Sequence, residues 1–262
     1  GRGDIVARSA NGSLLTWVSN GTGFSYAGES PLGLSDASGW NEGHRFFQMD
    51  VNGDGKGDLI ARAANGTFRS YVASGTAPDL LAEITTGLGV SIRITNKPIT
   101  DDSVYAKDEG TNAWDIRYVD VQTPIYVAAQ IDQSNGLANG FARTTYRYKG
   151  LKTHSYAAVS LGFRMFEITD PAGLTYVTVY YQNREQGLDG AVIESWTDAN
   201  GIRIKHVTNS WDVLAPAGNC NSRPQPQLIS STETTRELNN TIVTSVTTSN
   251  TYDSCGYPTQ TV

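Results

Sequence analysis

The stretch Asp50-Val51-Asn52-Gly53-Asp54-Gly55-Lys56-Gly57-Asp58 places side-chain oxygens at alternate positions, on Asp50, Asn52 and Asp54. Gly55 follows at once, and Asp58 closes the stretch with another carboxylate. A hard cation such as Ca²⁺ takes about six to eight oxygens, at roughly 2.3–2.6 Å, from carboxylates, amides, carbonyls and water. Asp50, Asn52, Asp54 and Asp58 supply side-chain oxygens at the spacing such a loop uses, Lys56 supplies a backbone carbonyl, and Gly55 permits the sharp turn. Ala61 stands where a helix-loop-helix site carries its closing Glu. The flanks, Phe46-Phe47-Gln48-Met49 and Leu59-Ile60-Ala61-Arg62, read as strands. The expectation is a calcium loop inside a β-hairpin, with Asp50, Asn52, Asp54, Lys56 and Asp58 as its ligands. The alternative is a metal-free turn, since Gly, Asp and Asn favour tight turns in their own right.

Other residue types that do chemistry are sparse. The histidines are His44, His154 and His206. None belongs to a Gly-x-Ser-x-Gly elbow or has a metal-ligand partner at fixed spacing. Asp101-Asp102 and Asp108-Glu109 are carboxylate pairs of the kind a polysaccharide hydrolase needs. Neighbours on a strand point to opposite faces, however, so a solvated loop accounts for them better. No glycine-rich phosphate loop occurs. The chain reads as non-catalytic. Its aromatic content raises carbohydrate binding as another possibility, because aromatic faces stack on sugars.

The elements that must position these residues are strands. The 262 residues are 39% hydrophobic and 18% charged, with 27 Gly and 13 Tyr. That mixture suits strands and turns. A net charge of −6 without a basic stripe argues against nucleic acid and anionic membrane as partners. No apolar run is long enough to span a bilayer as a helix. Strand-like runs include Ser91–Thr95, Ile125–Ala129, Ala142–Tyr148, Phe163–Thr169, Leu174–Tyr181, Ile202–Val207 and Thr241–Thr248. Leu174–Tyr181 carries almost no charge and belongs inside a large sheet, since an open edge of that kind would pair with other chains. Asn-Gly pairs at 11–12, 65–66, 135–136, 139–140 and 200–201 signal hairpins. The fold class is all-β.

An internal repeat organises the first part. Gly1-Arg2-Gly3-Asp4-Ile5-Val6-Ala7-Arg8 matches Gly55-Lys56-Gly57-Asp58-Leu59-Ile60-Ala61-Arg62 at an offset of 54 (residue 1 onto residue 55). Asn11-Gly12 matches Asn65-Gly66, and Trp17-Val18 matches Tyr71-Val72. Repeats of this length indicate propeller blades or a related array. The chain then starts midway through one loop and is expected to be a fragment of a larger protein. Trp17 and Tyr71 are expected as repeat-core residues rather than a ligand platform. Arg2-Gly3-Asp4 spells an integrin-binding tripeptide, but it is the repeat partner of Lys56-Gly57-Asp58 and reads as structural. Asn11, Asn20 and Asn65 sit in glycosylation sequons that turn chemistry explains equally well. Cys220 and Cys255 could pair, stay free or bind metal, and no CxxC spacing supports zinc.

Two regions are expected: residues 1–76 as blades, the first truncated, and residues 77–262 as a second β-rich region. Trp40 through Asp58 resembles the FG-GAP/VCBS repeat. The segments Leu88-Gly89, Lys97-Pro98-Ile99-Thr100-Asp101-Asp102-Ser103-Val104-Tyr105, Tyr146-Arg147-Tyr148-Lys149-Gly150-Leu151, Leu161-Gly162-Phe163-Arg164 and Thr169-Asp170-Pro171-Ala172-Gly173 resemble the middle region of the B component of Tc-type toxin complexes. The tail, Thr251-Tyr252-Asp253 with Gly256 and Pro258-Thr259, resembles an Rhs/YD repeat, from which Tyr257 and Cys255 depart. The resemblance implies a secreted bacterial toxin section that helps a hollow shell enclose and deliver a C-terminal toxic domain. It implies as partners other parts of the parent chain and toxin-complex subunits. A calcium-dependent adhesin or carbohydrate-binding module is the first alternative, and a polysaccharide hydrolase the second.

Overall fold

The computed structural model describes residues 4–40, 45–74, 80–113, 117–121, 125–137, 140–156, 159–183, 186–214 and 225–262. The expectations for Gly1–Gly3, His44, Asn139 and Cys220, and the boundary between residues 76 and 77, lie outside them. The chain forms two compact units, Gly1–Leu80 and Leu81–Val262.

The first unit holds two antiparallel three-stranded sheets. One runs through β1 (Ile5–Arg8), β2 (Ser13–Ser19) and β3 (Phe24–Pro31), the other through β4 (Arg45–Met49), β5 (Asp58–Arg62) and β6 (Phe68–Tyr71). The repeat is visible in the hydrogen bonds. Asp4 Oδ1 accepts the Ser19 amide at 2.9 Å, and Asp58 Oδ1 accepts the Ala73 amide at 2.8 Å. Asn11 Oδ1 accepts the Ser13 amide at 3.0 Å, as Asn65 Oδ1 does that of Thr67 at 3.0 Å. Both Asn-Gly turns place their glycine at positive φ, 92° at Gly12 and 88° at Gly66, where a side chain is strained. A small core of Leu34, Trp40 and Ala61 is buried, with Leu32, Ala63 and Tyr71 packed against it. Tyr71 is thus a packing residue, and its hydroxyl donates to the Leu32 carbonyl at 2.9 Å.

The second unit is one 13-stranded sheet. Its path runs β7 (Glu83–Thr85), β8 (Ser91–Pro98), β11 (Tyr126–Ser134), β12 (Phe141–His154), β13 (Val159–Thr169), β14 (Leu174–Tyr180), β15 (Val192–Ala199), β16 (Ile202–Leu214), β17 (Gln225–Arg236), β18 (Ile242–Tyr252) and β19 (Pro258–Thr261). These neighbours pair antiparallel, and among the described residues the path does not close on itself. The short strands β9 (Tyr105–Ala106) and β10 (Tyr118–Asp120) flank β12 where β11 has left it, β9 in parallel. The β-branched, aromatic run at Leu174–Tyr180 lies inside the sheet between β13 and β15. From β11 to β18 the chain is a meander built largely by tight turns, among them Asn200-Gly201 with both φ values positive, 51° and 76°.

The core of this unit lies where the 99–106 segment crosses β12. Ile99, Val104, Tyr105, Tyr148 and Leu151 are buried. Phe163 adds a tilted and Phe166 an edge ring contact to Tyr148, at 4.8 and 5.2 Å. Such aromatic pairs contribute about 0.5–1.5 kcal/mol beyond area burial. The far end of the sheet is different: β18 is exposed along most of its length, and β17 and β18 are joined by hydroxyl pairs such as Thr232–Thr247 at 2.9 Å and Thr235–Thr244 at 2.7 Å.

Candidate functional site

Two sites concentrate polar chemistry, one in each unit. The first is the acidic loop between β4 and β5. Asp50 wraps the chain around itself: its Oδ1 accepts the amides of Gly53 and Asp54 at 2.8 and 3.1 Å, and its Oδ2 that of Gly55 at 2.8 Å. Asn52 Oδ1 accepts the Asp54 amide, and Asp54 Oδ1 the Lys56 amide at 2.9 Å. Gly53 and Gly55 sit at φ 79° and 78°, conformations that this winding requires. A Cβ on Gly57 would lie 2.2 Å from Gln48 Nε2, so a side chain there would displace the end of the Gln48 side chain. Asp58, 1% exposed, accepts the Val51 amide on Oδ2 and the Ala73 amide on Oδ1, both at 2.8 Å. It ties the loop to the end of β6.

Lys56 Nζ lies 3.0 Å from Asp54 Oδ2. The amide and ammonium of Lys56, with the Asn52 side chain, hold the Asp54 carboxyl below its ordinary range. The nine residues of the loop thus carry three carboxylates, Asp50, Asp54 and Asp58, and one ammonium. Among the described residues, no three His, Cys, Asp or Glu side chains converge on one ion position. The donor types are those a hard cation takes, and the first positions of the loop are already turned tightly by its own amides.

The second site was not legible as a motif. Asp108 is sealed from solvent in the second unit, its side chain 0% exposed. Lys152 Nζ donates to Asp108 Oδ2 at 3.0 Å, and Arg164 Nη2 and Nε contact Oδ1 at 2.6 and 2.8 Å. Lys152 Nζ also donates to the Asn112 carbonyl. Burial pushes the Asp108 carboxyl up, but the hydrogen bonds and charges of Arg164 and Lys152 outweigh it, and the net shift is downward. The carboxylate is charged at neutral pH, as a paired buried acid should be.

Glycine makes the approach possible. Gly150, at φ +66°, lies so close that a Cβ there would fall 2.4 Å from Asp108 Oδ2. Gln182 Nε2 bridges the carbonyls of Gly150 and Gly162 at 2.6 and 2.7 Å, joining the chain after β14 to positive-φ points of β12 and β13. The Leu151 amide donates to the Tyr105 hydroxyl at 3.1 Å. This hub pins the 99–113 segment to the middle of the sheet. Beside it opens a cavity of about 340 Å³ lined by Arg117, Lys152, Arg164, Tyr181, Asn183 and their neighbours.

The remaining candidates fall into ordinary roles. Asp108 is buried in ion pairs while Glu109 is exposed, so the two carboxylates do not share a cleft. Asp101 is held at about 2 by Ser103 and Lys97, and Lys97 Nζ lies 2.9 Å away. His154 is buried with its ring against Tyr118. His206 Nε2 lies 2.9 Å from Glu194 Oε2 on the adjacent strand, an imidazole–carboxylate pair without a nucleophile between them. Cys255 is disulfide-bonded; the only other cysteine in the chain, Cys220, lies outside the described residues.

The family described as the insecticide toxin TcdB middle/N-terminal region matches residues 18–185. No curated protein matches. Among solved structures, TcdB2-TccC3 without its hypervariable C-terminal region is similar with a TM-score of 0.58 at 13% identity, over 98% of this chain and 15% of that one. TcdB2-TccC3 itself gives 0.57 at 15% identity, over 98% and 16%. The Photorhabdus luminescens Tc holotoxin pore gives 0.56 at 14%, over 97% and 15%. At these identities the similarity is one of fold, and the chain spans about a sixth of the chains it matches.

Proposed function

This chain belongs to the insecticide toxin TcdB middle/N-terminal region family, and from that membership we propose that it is a non-catalytic wall section of a secreted bacterial Tc/Rhs-type toxin. Its work is mechanical. The second unit supplies a broad sheet that continues into further strands of the parent chain, and the assembled shell encloses and delivers a C-terminal toxic domain. The partners are other parts of that parent chain and the other toxin-complex subunits. The observation that carries this reading is the open, 13-stranded meander, exposed at one end and pinned at its centre by a buried charge hub, in a chain similar over 98% of its length to TcdB2-TccC3. A sheet with free edges is a liability in isolation and an asset where neighbours extend it.

In the same reading the first unit, residues 1–76 with the linker that follows, is a pair of FG-GAP/VCBS propeller blades. The tail around Tyr252, Asp253 and Gly256 is the opening of the Rhs/YD region. The acidic loop takes Ca²⁺ through the side chains of Asp50, Asn52, Asp54 and Asp58 and the carbonyl of Lys56. The ion neutralises clustered carboxylates and stiffens the hairpin; it performs no chemistry on a substrate. The test is limited proteolysis of the parent protein. With the 81–262 segment intact, the C-terminal domain should resist protease. With Asp108→Ala, which loosens the wall without touching the enclosed domain, that domain should be cut readily. Equal resistance in both proteins would remove the wall role.

A further inference from the structure

An asparagine followed by glycine can be attacked by its own backbone, because glycine has no Cβ to shield its amide nitrogen from the asparagine side chain. Six such pairs lie among the described residues, at 11–12, 20–21, 52–53, 65–66, 135–136 and 200–201. The attack needs two free partners. The side-chain amide must be able to swing toward the backbone, and the next nitrogen must not be spent on a hydrogen bond. Five of the six pairs withhold at least one of these. Asn11, Asn52, Asn65 and Asn135 each lend Oδ1 to the amide two residues on, those of Ser13, Asp54, Thr67 and Leu137. Asn20 Oδ1 accepts the amides of Thr22 and Gly23 at 3.0 and 2.7 Å. Several glycine nitrogens are engaged as well. Gly12 donates to the Ser9 carbonyl at 3.0 Å, Gly66 to the Ala63 carbonyl at 2.9 Å, and Gly53 to Asp50 Oδ1 at 2.8 Å.

The sixth pair withholds neither. Asn200 and Gly201 are the exposed tip of the β15–β16 hairpin, where Ala199 pairs with Ile202 across the two-residue turn. Among the described residues, neither the Asn200 side chain nor the Gly201 amide makes a hydrogen bond. We propose that Asn200 is a site of spontaneous deamidation. The Gly201 nitrogen gives its proton to hydroxide and attacks Asn200 Cγ. The N–Cγ bond forms, the Cγ–Nδ2 bond breaks, and the nitrogen leaves as ammonia with a proton from water. Water then opens the cyclic imide at either carbonyl, to aspartate or isoaspartate. One water is consumed, one ammonia is released, and nothing is oxidised or reduced. Both products add a carboxylate two residues from Asp198, which already pairs with Arg203 at 3.3 Å. Isoaspartate also routes the backbone through Cβ, which adds an atom to a turn whose flanking strands are in register without it. The hairpin therefore loosens at its tip as the chain ages.

The test is peptide mapping by mass spectrometry of the full chain, aged in mildly alkaline buffer with and without urea. In the folded chain, residue 200 should convert from amide to acid roughly tenfold faster than Asn11 or Asn65, whose hydrogen bonds must first be released. Part of the product should accept a methyl group from an isoaspartate-specific methyltransferase. In urea those hydrogen bonds are gone, and the Asn-Gly pairs should convert at similar rates. Conversion of Asn11 or Asn65 as fast as Asn200 in the folded chain would overturn the inference. So would an Asn200 that stays intact in the folded chain while it converts in urea.

Discussion

The acidic loop of the first unit and the Asp108 hub of the second put carboxylates to opposite uses. In the first, the acids of the β4–β5 loop reach backbone amides: Asp50 takes three within five residues, and Asp58 takes those of Val51 and Ala73. The Asp50 contacts are local and shape the turn, while Asp58, 1% exposed, ties the loop to the end of β6. In the second, Asp108 is withdrawn from solvent and met by side chains 44 and 56 residues away in sequence, on two central strands. Such a contact forms only when the sheet has already brought its members together. It specifies tertiary structure, and it is costly to break from one side, because the partners left behind are buried charges. The difference teaches where each unit is vulnerable: one through its turns and counter-ions, the other through a single point.

The contrast is broken most directly at that point. Asp108→Ala should destabilise the second unit by about 3–5 kcal/mol, since Lys152 and Arg164 lose their shared counter-charge. Denaturant unfolding should show the loss in the second unit's transition and leave the first unit's in place.

Calcium should act on the other unit. With free metal at about a hundred times its dissociation constant, the first unit should gain about 2.7 kcal/mol. Chelation should lower its melting temperature, and Asp54→Ala should remove the response. A melt indifferent to both chelator and metal would leave the acidic loop as a turn held by its own amides and Lys56.

Gly150→Ala should cost the second unit about 1–3 kcal/mol, from positive φ and from collision with Asp108. The corresponding change at Gly162, φ +73° with open space around its Cβ position, should cost less. A smaller effect at Gly150 than at Gly162, in parallel melts, would show that the close approach to Asp108 is unimportant.

Acid sharpens the same comparison. The Asp108 carboxyl is depressed in the folded chain, so its contribution is fully present above the unfolded value of about 3.9 and fades as pH falls through the folded one. The second unit should hold its stability from neutral pH to about 4 and lose it below. In Asp108→Asn that acid limb should flatten. At the exposed end of the sheet, Thr234→Val should change stability by no more than about 0.5 kcal/mol, since surface cross-strand pairs contribute little.

What could be read in advance follows the same division. Turn chemistry is local, so Asn11-Gly12, Asn65-Gly66 and Asn200-Gly201 announced hairpins, and the acidic loop announced itself by spacing. Leu174–Tyr180 was legible because it is long and apolar. Strand β17, Gln225–Arg236, was not: its Gln, Ser and Thr residues show no apolar alternation, since its pairing with β18 uses hydroxyl contacts and β18 is exposed along most of its length. The full reach of β12 was obscured by Gly150 in its interior, which reads as an interruption and serves instead to admit Asp108. The hub itself was invisible. Asp108 stood beside Glu109 as an apparent carboxylate pair, and nothing in its vicinity names Lys152 or Arg164. Only topology places them within 3 Å.

The measurement that tests the central claim most directly is cryo-electron microscopy of the full-length parent protein. The account predicts that the sheet of residues 81–262 forms one section of a closed wall, with β7 and β19 each hydrogen-bonded to further strands. A free-standing β domain, with both edges bare and no enclosed volume beside it, would contradict the account.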